Sequence, residues 1–244
     1  AMTKIGLVLF VGGTGTGKTT TQAAMVGYRN QHTRGHIITI EDPIEFVHDH
    51  IKCIVDQREV GVDTESFEVA LRNTLRQAPD VILIGECRDE ETANSAINAS
   101  LTGHLVLTTL HANDSLRAIS RLLSMGVEPH LVSDSLAMSQ AQRLVRRLCN
   151  YCKRPVEPTP QIQEIFKRQG VLPDKGTKYI YLSTGCTECS GTGYSGRVAL
   201  MEMAEMNPEI ADLIERQATQ TELKKSAFKT GFQSLYQEGL AHVL

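Results

Sequence analysis

Residues 7–20 read LVLFVGGTGTGKTT, an apolar run that breaks into a glycine-rich turn ending in lysine and threonine. No other segment restricts the fold as much. Gly12–Thr19 fits G-x-x-x-x-G-K-[ST], and such a loop needs a strand before it and a helix after it, so that loop N–H groups and the helix N-terminus point together at a phosphate. Both neighbours are readable, as LVLFV and TTTQAAMVGY. Gly13, Thr14, Gly15, Thr16 and Gly17 are expected to wrap the anion, the glycines without Cβ clashes. Lys18 is expected to reach the β- and γ-phosphates, Thr19 to offer its hydroxyl to Mg²⁺, and Thr20 to follow in the first helical turn.

A parallel sheet covered by helices suits the rest of the first half. Short runs rich in Val, Ile and Leu recur at 6–11, 37–40, 81–84 and 105–110, as strands buried on both faces require. Between them, Ser66–Gln77 and Ser115–Met125 carry apolar residues at helical spacing, and Gly126 is placed to end the second helix. No run approaches the eighteen or so apolar residues of a membrane span, and the longest apolar stretch, Ile5 to Val11, lacks the cleavage pattern of a signal peptide. A cytosolic protein is therefore expected.

Two strand ends deliver carboxylates. ITIEDPIE (38–45) ends in Glu41 and Asp42, with Pro43 turning the chain out of regular structure. Alone it reads as a solvated acidic turn, but ligands in a parallel sheet sit beyond the carboxyl ends of strands, where Glu41 and the phosphate loop can meet. PDVILIGE (79–86) ends in Gly85 and Glu86. Glycine has no side chain to offer, so Glu86 is expected either to reach magnesium through water or to orient and deprotonate an attacking water. A third strand in TGHLVLTTLHAND is bracketed by His104 and His111. A single histidine is usually structural; two beside Glu86 are candidates for the site.

The six cysteines include two Cys-x-x-Cys pairs, Cys149/Cys152 and Cys186/Cys189. Without a secretory signal that spacing favours a metal over disulfides, and four thiolates suit a closed tetrahedral site for structural Zn²⁺. The intervening segment is expected to form a small subdomain, with a helix at 162–167 and a strand at 179–182. The glycines of CTECSGTG read as turn formers, although the stretch is similar to the cysteine units of DnaJ-type chaperones. Cys53 and Cys87 lie in apolar runs and read as small buried hydrophobes. A net charge of −3 gives no support for non-specific nucleic-acid binding, and no nucleic-acid partner is expected. The cluster Arg143, Arg146, Arg147, Lys153 and Arg154 reads as a solvated helix face.

Together GGTGTGKTTT, ITIEDPIEF, QREVG, ALRNTLRQAPDVILIGECRDEET, TGHLVLTTLHAND and AQRLVRRLCNYCKRP resemble the GspE/PilB/PilT superfamily of secretion and type IV pilus motor ATPases. The resemblance implies a RecA-like α/β fold and ATP hydrolysis with Mg²⁺. By it, Glu86 is the catalytic glutamate and Glu41 the acid that helps position magnesium and water. His104 and His111 correspond to histidine-box residues that sense the γ-phosphate or link subunits. Arg72 and Arg76 match arginines implicated in hydrolysis, with Arg88 and Arg197 as lesser candidates. The resemblance also implies a homo-hexamer, working in the cytoplasm at the inner membrane through platform proteins. Its tetracysteine module is similar to the secretion and pilus-assembly branch, whereas IEFVHDH and IVDQREVGVDTESF are similar to the retraction branch. Four ligands are the costlier coincidence, so secretion or assembly is preferred, with retraction or a mainly regulatory nucleotide-binding module as the alternatives.

The expected organisation is an ATPase core over 1–148, a tetracysteine zinc subdomain over 149–196, and a C-terminal helical segment over 197–244 packing on the core. Ala1-Met2 reads as a vector remnant on a piece trimmed from a longer protein whose N-terminal domain is absent. Such a piece is expected to hydrolyse ATP poorly and not to form a stable hexamer alone.

Overall fold

The apolar run before the phosphate loop forms strand β1 (Gly6–Val11), buried along its whole length, in a computed structural model that describes residues 5–171 and 178–244. The Ala1-Met2 reading lies outside the described residues. Helix α1 (Lys18–His32) follows, then β2 (Gly35–Glu41), β3 (Cys53–Glu59), α2 (Phe67–Thr74), β4 (Val81–Ile84), α3 (Glu90–Leu101), β5 (Leu105–Leu110), α4 (Ser115–Ser124) and α5 (Pro129–Ser135). The long strand β6 (Leu136–Leu148) leads to β7 (Arg154–Val156), α6 (Pro160–Arg168), β8 (Ile180–Leu182) and a second long strand, β9 (Tyr194–Glu205). Helices α7 (Pro208–Glu215), α8 (Gln220–Lys229) and α9 (Leu235–Ala241) complete the chain.

Seven strands form one sheet in the order β3-β2-β4-β5-β1-β6-β9, and β7 and β8 form an antiparallel pair. Every pairing from β3 across to β6 is parallel, so the strands that the apolar runs predict share a carboxyl edge. Side chains alternate between faces. One face stacks Val8, Phe10, Ile37, Cys53, Val55, Val81, Leu83, Leu105 and Leu107 against Val26 of α1. The other buries Leu7, Leu9, Ile38, Ile40, Ile82 and Ile84. Cys53 and Cys87 are both 3% exposed and behave as core residues.

Two compact units emerge, one of Ala1–Ala141 with Met203–Phe232, the other of Gln142–Glu202 with Gln233–Leu244. The sequence places the boundaries at 148/149 and 196/197 instead. The difference has a physical cause: β6 and β9 are continuous strands that run through the divide, so the compositional change at Leu148 marks a strand end. The C-terminal helices also divide, α7 and α8 belonging to the first unit and α9 to the second.

The basic cluster is corrected too. Arg143, Arg146 and Arg147 lie on strand β6, exposed, and not on a helix. LAMSQAQRLVRRL is rich in good helix formers, but an intrinsic preference of a few tenths of a kcal/mol per residue, roughly, yields to sheet pairing. Within the second unit Arg146 stacks over the Tyr194 ring at 3.9 Å. There the buried Glu202 accepts the Leu235 N–H at 2.9 Å, at the start of α9.

The tightness of the α1 face gives a direct test. Phe10 is 1% exposed, and Phe10→Ala is expected to cost about 3–5 kcal/mol, read as a lower denaturant midpoint of the first unit. Tyr151→Ala, at a residue 81% exposed, is expected to stay within about 0.5 kcal/mol.

Candidate active site

The phosphate loop enters α1 through Gly17, whose left-handed φ of 87° only glycine adopts without strain. A Cβ added at Gly13 or Gly15 meets nothing within 4 Å, so open space lies over the turn, as an anion cradle needs. No acidic side chain occupies the first turn of α1, leaving its positive end uncompensated. Lys18 Nζ folds over the loop and donates to the Gly12 and Gly13 carbonyls at 2.9 and 3.0 Å. Burial lowers the Lys18 pKa, and the nearby charge of Glu86 works against that shift. Thr16 Oγ1 donates to Gly13 O at 2.9 Å, Thr19 is half-buried, and Thr14 and Thr20 are exposed.

The α1 face of the sheet changes character at its carboxyl edge. Continuing the alternation past the apolar stack brings up Thr39 and Glu41 on β2, Gln57 on β3, Gly85 after β4 and Thr109 on β5. Glu41 is only 7% exposed. Its Oε1 accepts from Thr39 Oγ1 at 2.7 Å and from Gln57 Nε2 at 3.1 Å. Gly85 has a packing reason: a Cβ there would sit 3.4 Å from Glu41 Cα and from Ile40 O. Any side chain larger than alanine would push the end of β2, and Glu41 with it. The turn is pinned by Gly85 N–H on Ile40 O at 2.8 Å and Thr109 Oγ1 on Gly85 O at 2.8 Å.

Glu86 follows with its side chain 22% exposed, paired to Arg88 through Oε2 at 2.7 Å and to His111 Nε2 through Oε1 at 3.1 Å. The Arg88 hydrogen bond holds its carboxyl below the usual range, burial opposes this, and the charges of Arg88 and His111 add to the lowering. The structure thus brings together Lys18, Glu86, Arg88 and His111, with Glu41 at the neighbouring strand end.

Other sequence candidates lie elsewhere. His104 precedes β5 while His111 follows it, so the two sit at opposite ends of one strand. His104 Nδ1 contacts the Ala99 carbonyl at 2.8 Å, at the C-terminus of α3. Arg72 is exposed and paired to Glu68 one turn back on α2, Arg76 is exposed just beyond that helix, and Arg197 is exposed on β9. Sequence reasoning missed Thr39 and Gln57. Their signal is the period of two, which places them on the face of Glu41 once β2 and β3 are paired.

In the second unit the four Sγ atoms of Cys149, Cys152, Cys186 and Cys189 lie within 4.8 Å of one another. Cys149–Cys186, Cys152–Cys189 and Cys186–Cys189 are separated by 3.9, 3.8 and 3.7 Å. Sulfurs about 2.3 Å from a central zinc have tetrahedral edges of about 3.8 Å, whereas a disulfide is about 2.05 Å. Cys189 Sγ also accepts the Cys186 and Gly193 N–H groups at 3.2 and 3.1 Å. Burial raises its pKa, but those N–H groups and the neighbouring thiols outweigh it and hold it at about 6. Gly185 has φ 97°, and a Cβ there would strike Gly191 O at 2.6 Å, so the knuckle glycines are required by its turns. The donor set fits a tetrahedral metal of zinc's size and softness.

A mostly parallel sheet with a phosphate loop after a buried strand and carboxylates at the ends of two other strands on the same edge defines the phosphate-loop nucleotide-binding class. Within that class the chain belongs to the family described as Type II/IV secretion system protein, which matches residues 2–244. It is 44% identical over 240 residues to the type IV pilus assembly ATPase PilB of Myxococcus xanthus, covering 98% of this chain and 41% of that protein. It is 42% identical over 234 residues to the type II secretion system protein HxcR of Pseudomonas aeruginosa, covering 96% and 45%. Among solved structures, the pilus retraction motor PilT with bound ADP superposes with a TM-score of 0.66 at 34% identity, covering 98% of this chain and 62% of that one. The chain spans less than half the length of these two curated relatives.

The Glu86 pair sets a pH dependence. A carboxyl with a lowered pKa contributes stability that is present above its unfolded value, about 4.3, and is lost as pH falls through the folded value. Arg88→Ala is expected to move the Glu86 midpoint upward in a carboxyl NMR titration. An unmoved midpoint would show that Arg88 does not govern that charge.

Proposed function

We propose that this chain is the ATP-hydrolysing domain of a motor that powers type II secretion or type IV pilus assembly. The observation that carries the reading is the convergence of phosphate loop, Glu86 and Glu41 on one sheet edge, in a chain of this family. The loop N–H groups and Lys18 bind the β- and γ-phosphates, and Thr19 with the carboxylates offers oxygen donors for Mg²⁺, the hard ligands that ion prefers. When bound, Mg²⁺ neutralises charge on the phosphates. Glu86 orients and deprotonates the attacking water, close enough for its charge to act on Lys18. Glu41, buried and hydrogen-bonded, keeps one carboxylate oxygen fixed towards the core.

The same reading assigns the working form to a homo-hexamer at the cytoplasmic side of the inner membrane, engaging platform proteins and no nucleic acid. In a hexamer the exposed Arg76, and Arg72 by exchanging its Glu68 partner, would reach a neighbouring subunit. No helix among the described residues is long and apolar enough to cross a membrane, which fits attachment through partners. The four cysteines would hold a structural Zn²⁺ by their thiolates. A second reading, pilus retraction, is favoured by the likeness to PilT; loss of pili on gene deletion supports assembly, and excess pili supports retraction.

Glu86→Gln in the full-length protein is expected to leave ATP affinity within about twofold while lowering turnover by at least about 100-fold. Unchanged turnover would remove Glu86 from water activation. Metal analysis is expected to find one zinc per chain, bound by the tetrahedral thiolate set. Cys149→Ser should release it and unfold the second unit, and a metal-free protein with an intact second unit would overturn the assignment.

A further inference from the structure

We propose that Gln57 is a positioning residue for the reaction, holding the Glu41 carboxylate and the 42–52 connection in one arrangement. This rests on the reading of Glu41 as an acid of an ATP site. Strands β2 and β3 are parallel neighbours, so the chain must return the length of the sheet between them, and residues 42–52 do so without helix or strand. Side chains supply the missing order. Asn30 of α1 holds the far end, accepting the Ile51 and Cys53 N–H groups at 3.2 and 3.0 Å and donating to Asp49 O at 2.6 Å.

Gln57 holds the near end. Its Nε2 donates both to Glu41 Oε1 at 3.1 Å and to Phe46 O at 2.9 Å, while its Oε1 accepts the His48 N–H at 2.8 Å. Both amide hydrogens are used, and the three partners fix which way the amide faces. A flipped amide would set its carbonyl against a carboxylate and a carbonyl, and its NH₂ against an N–H. Thr39 takes the same Glu41 oxygen at 2.7 Å. With Oε1 engaged twice, the carboxylate cannot rotate without breaking two hydrogen bonds, and Oε2 is the oxygen left for the site. Supporting hydrogen bonds of this kind typically change metal affinity or activity 10–100-fold, roughly.

The arrangement also links chemistry to surface. The segment that Gln57 grips carries Val47, 87% exposed, and Ile51, 59% exposed. A displacement of that segment is therefore transmitted to Glu41 through one amide.

The test uses the full-length protein in its assembled state, with ATP and Mg²⁺ as the probes. Gln57→Met keeps the length and removes the donors and acceptor; Gln57→Glu keeps the shape and sets a second carboxylate against Glu41. Gln57→Met is expected to lower kcat about 10-fold with KM for ATP within about twofold, and to raise the Mg²⁺ concentration for half-maximal rate. In the double variant with Glu41→Gln, kcat is expected to match Glu41→Gln alone, because Gln57 acts through that carboxylate. Gln57→Glu is expected to be slower than Gln57→Met at neutral pH and to recover as pH falls and one of the paired carboxyls protonates. His48, whose backbone N–H donates to Gln57, and Glu59, which accepts the Ile44 N–H, are present in all variants, so the comparison is made at matched pH. Additive kcat losses, wild-type turnover in Gln57→Met, or lost ATP binding or assembly in both variants would overturn the positioning role. Wild-type turnover in Glu41→Gln would instead overturn the role of Glu41 on which it rests.

Discussion

Parallel registration of four strands is the constraint on which the rest of the molecule depends. β1, β5, β4 and β2 pair side by side, so their carboxyl ends fall on one edge and whatever residue follows each strand is delivered to the same place. The phosphate loop, His111 and Gly85-Glu86 are each the next residues after a buried strand, and Glu41 is the last residue of one. None has to be carried there by a long loop. A slip of one residue in any pairing would turn every side chain to the other face, and the apolar stack on the α1 face opposes such a slip.

The same alternation explains how the Glu41 side chain can be buried with its carboxyl group partnered. The α1 face is apolar through Ile37, Val55 and Leu83, and polar only in its last layer, where Thr39 and Gln57 hold the carboxylate. A buried charge without partners would cost several kcal/mol, roughly, so these two residues are part of the reason Glu41 can be placed there. Gly85 completes the layer by subtraction, its missing side chain leaving room for the backbone at Glu41. The glycine before Glu86 is thus a packing requirement of the adjacent strand, and the acid of that strand is displaced by one position.

How much of this was legible follows from where the determining information lies. β1, β4 and β5 are short, continuous apolar runs, and α2 and α4 carry strong helical periodicity with Ser66 and Asp114 as caps, so local sequence suffices for them. The phosphate loop and the two Cys-x-x-Cys pairs are spacing motifs and were equally open. β6 was not, because Gln, Arg, Met and Ala prefer helix and become strand only through pairing with β1. The role of Gln57 was hidden for a related reason, since its partner lies on another strand and no local pattern distinguishes it. His104 and His111 look equivalent in sequence, yet a strand separates its two ends by its full length, and only His111 reaches Glu86.

Glu86 shows how orientation and basicity pull against each other in such a site. Arg88 and His111 together occupy both carboxylate oxygens, which fixes the side chain in direction. The Arg88 contact that aims it also favours its ionised form and lowers its affinity for a proton. Glu86 is therefore well aimed but weakly basic while both partners hold it. Arg88 is the more exposed of the two partners, and without it His111 alone would hold the direction of the carboxylate.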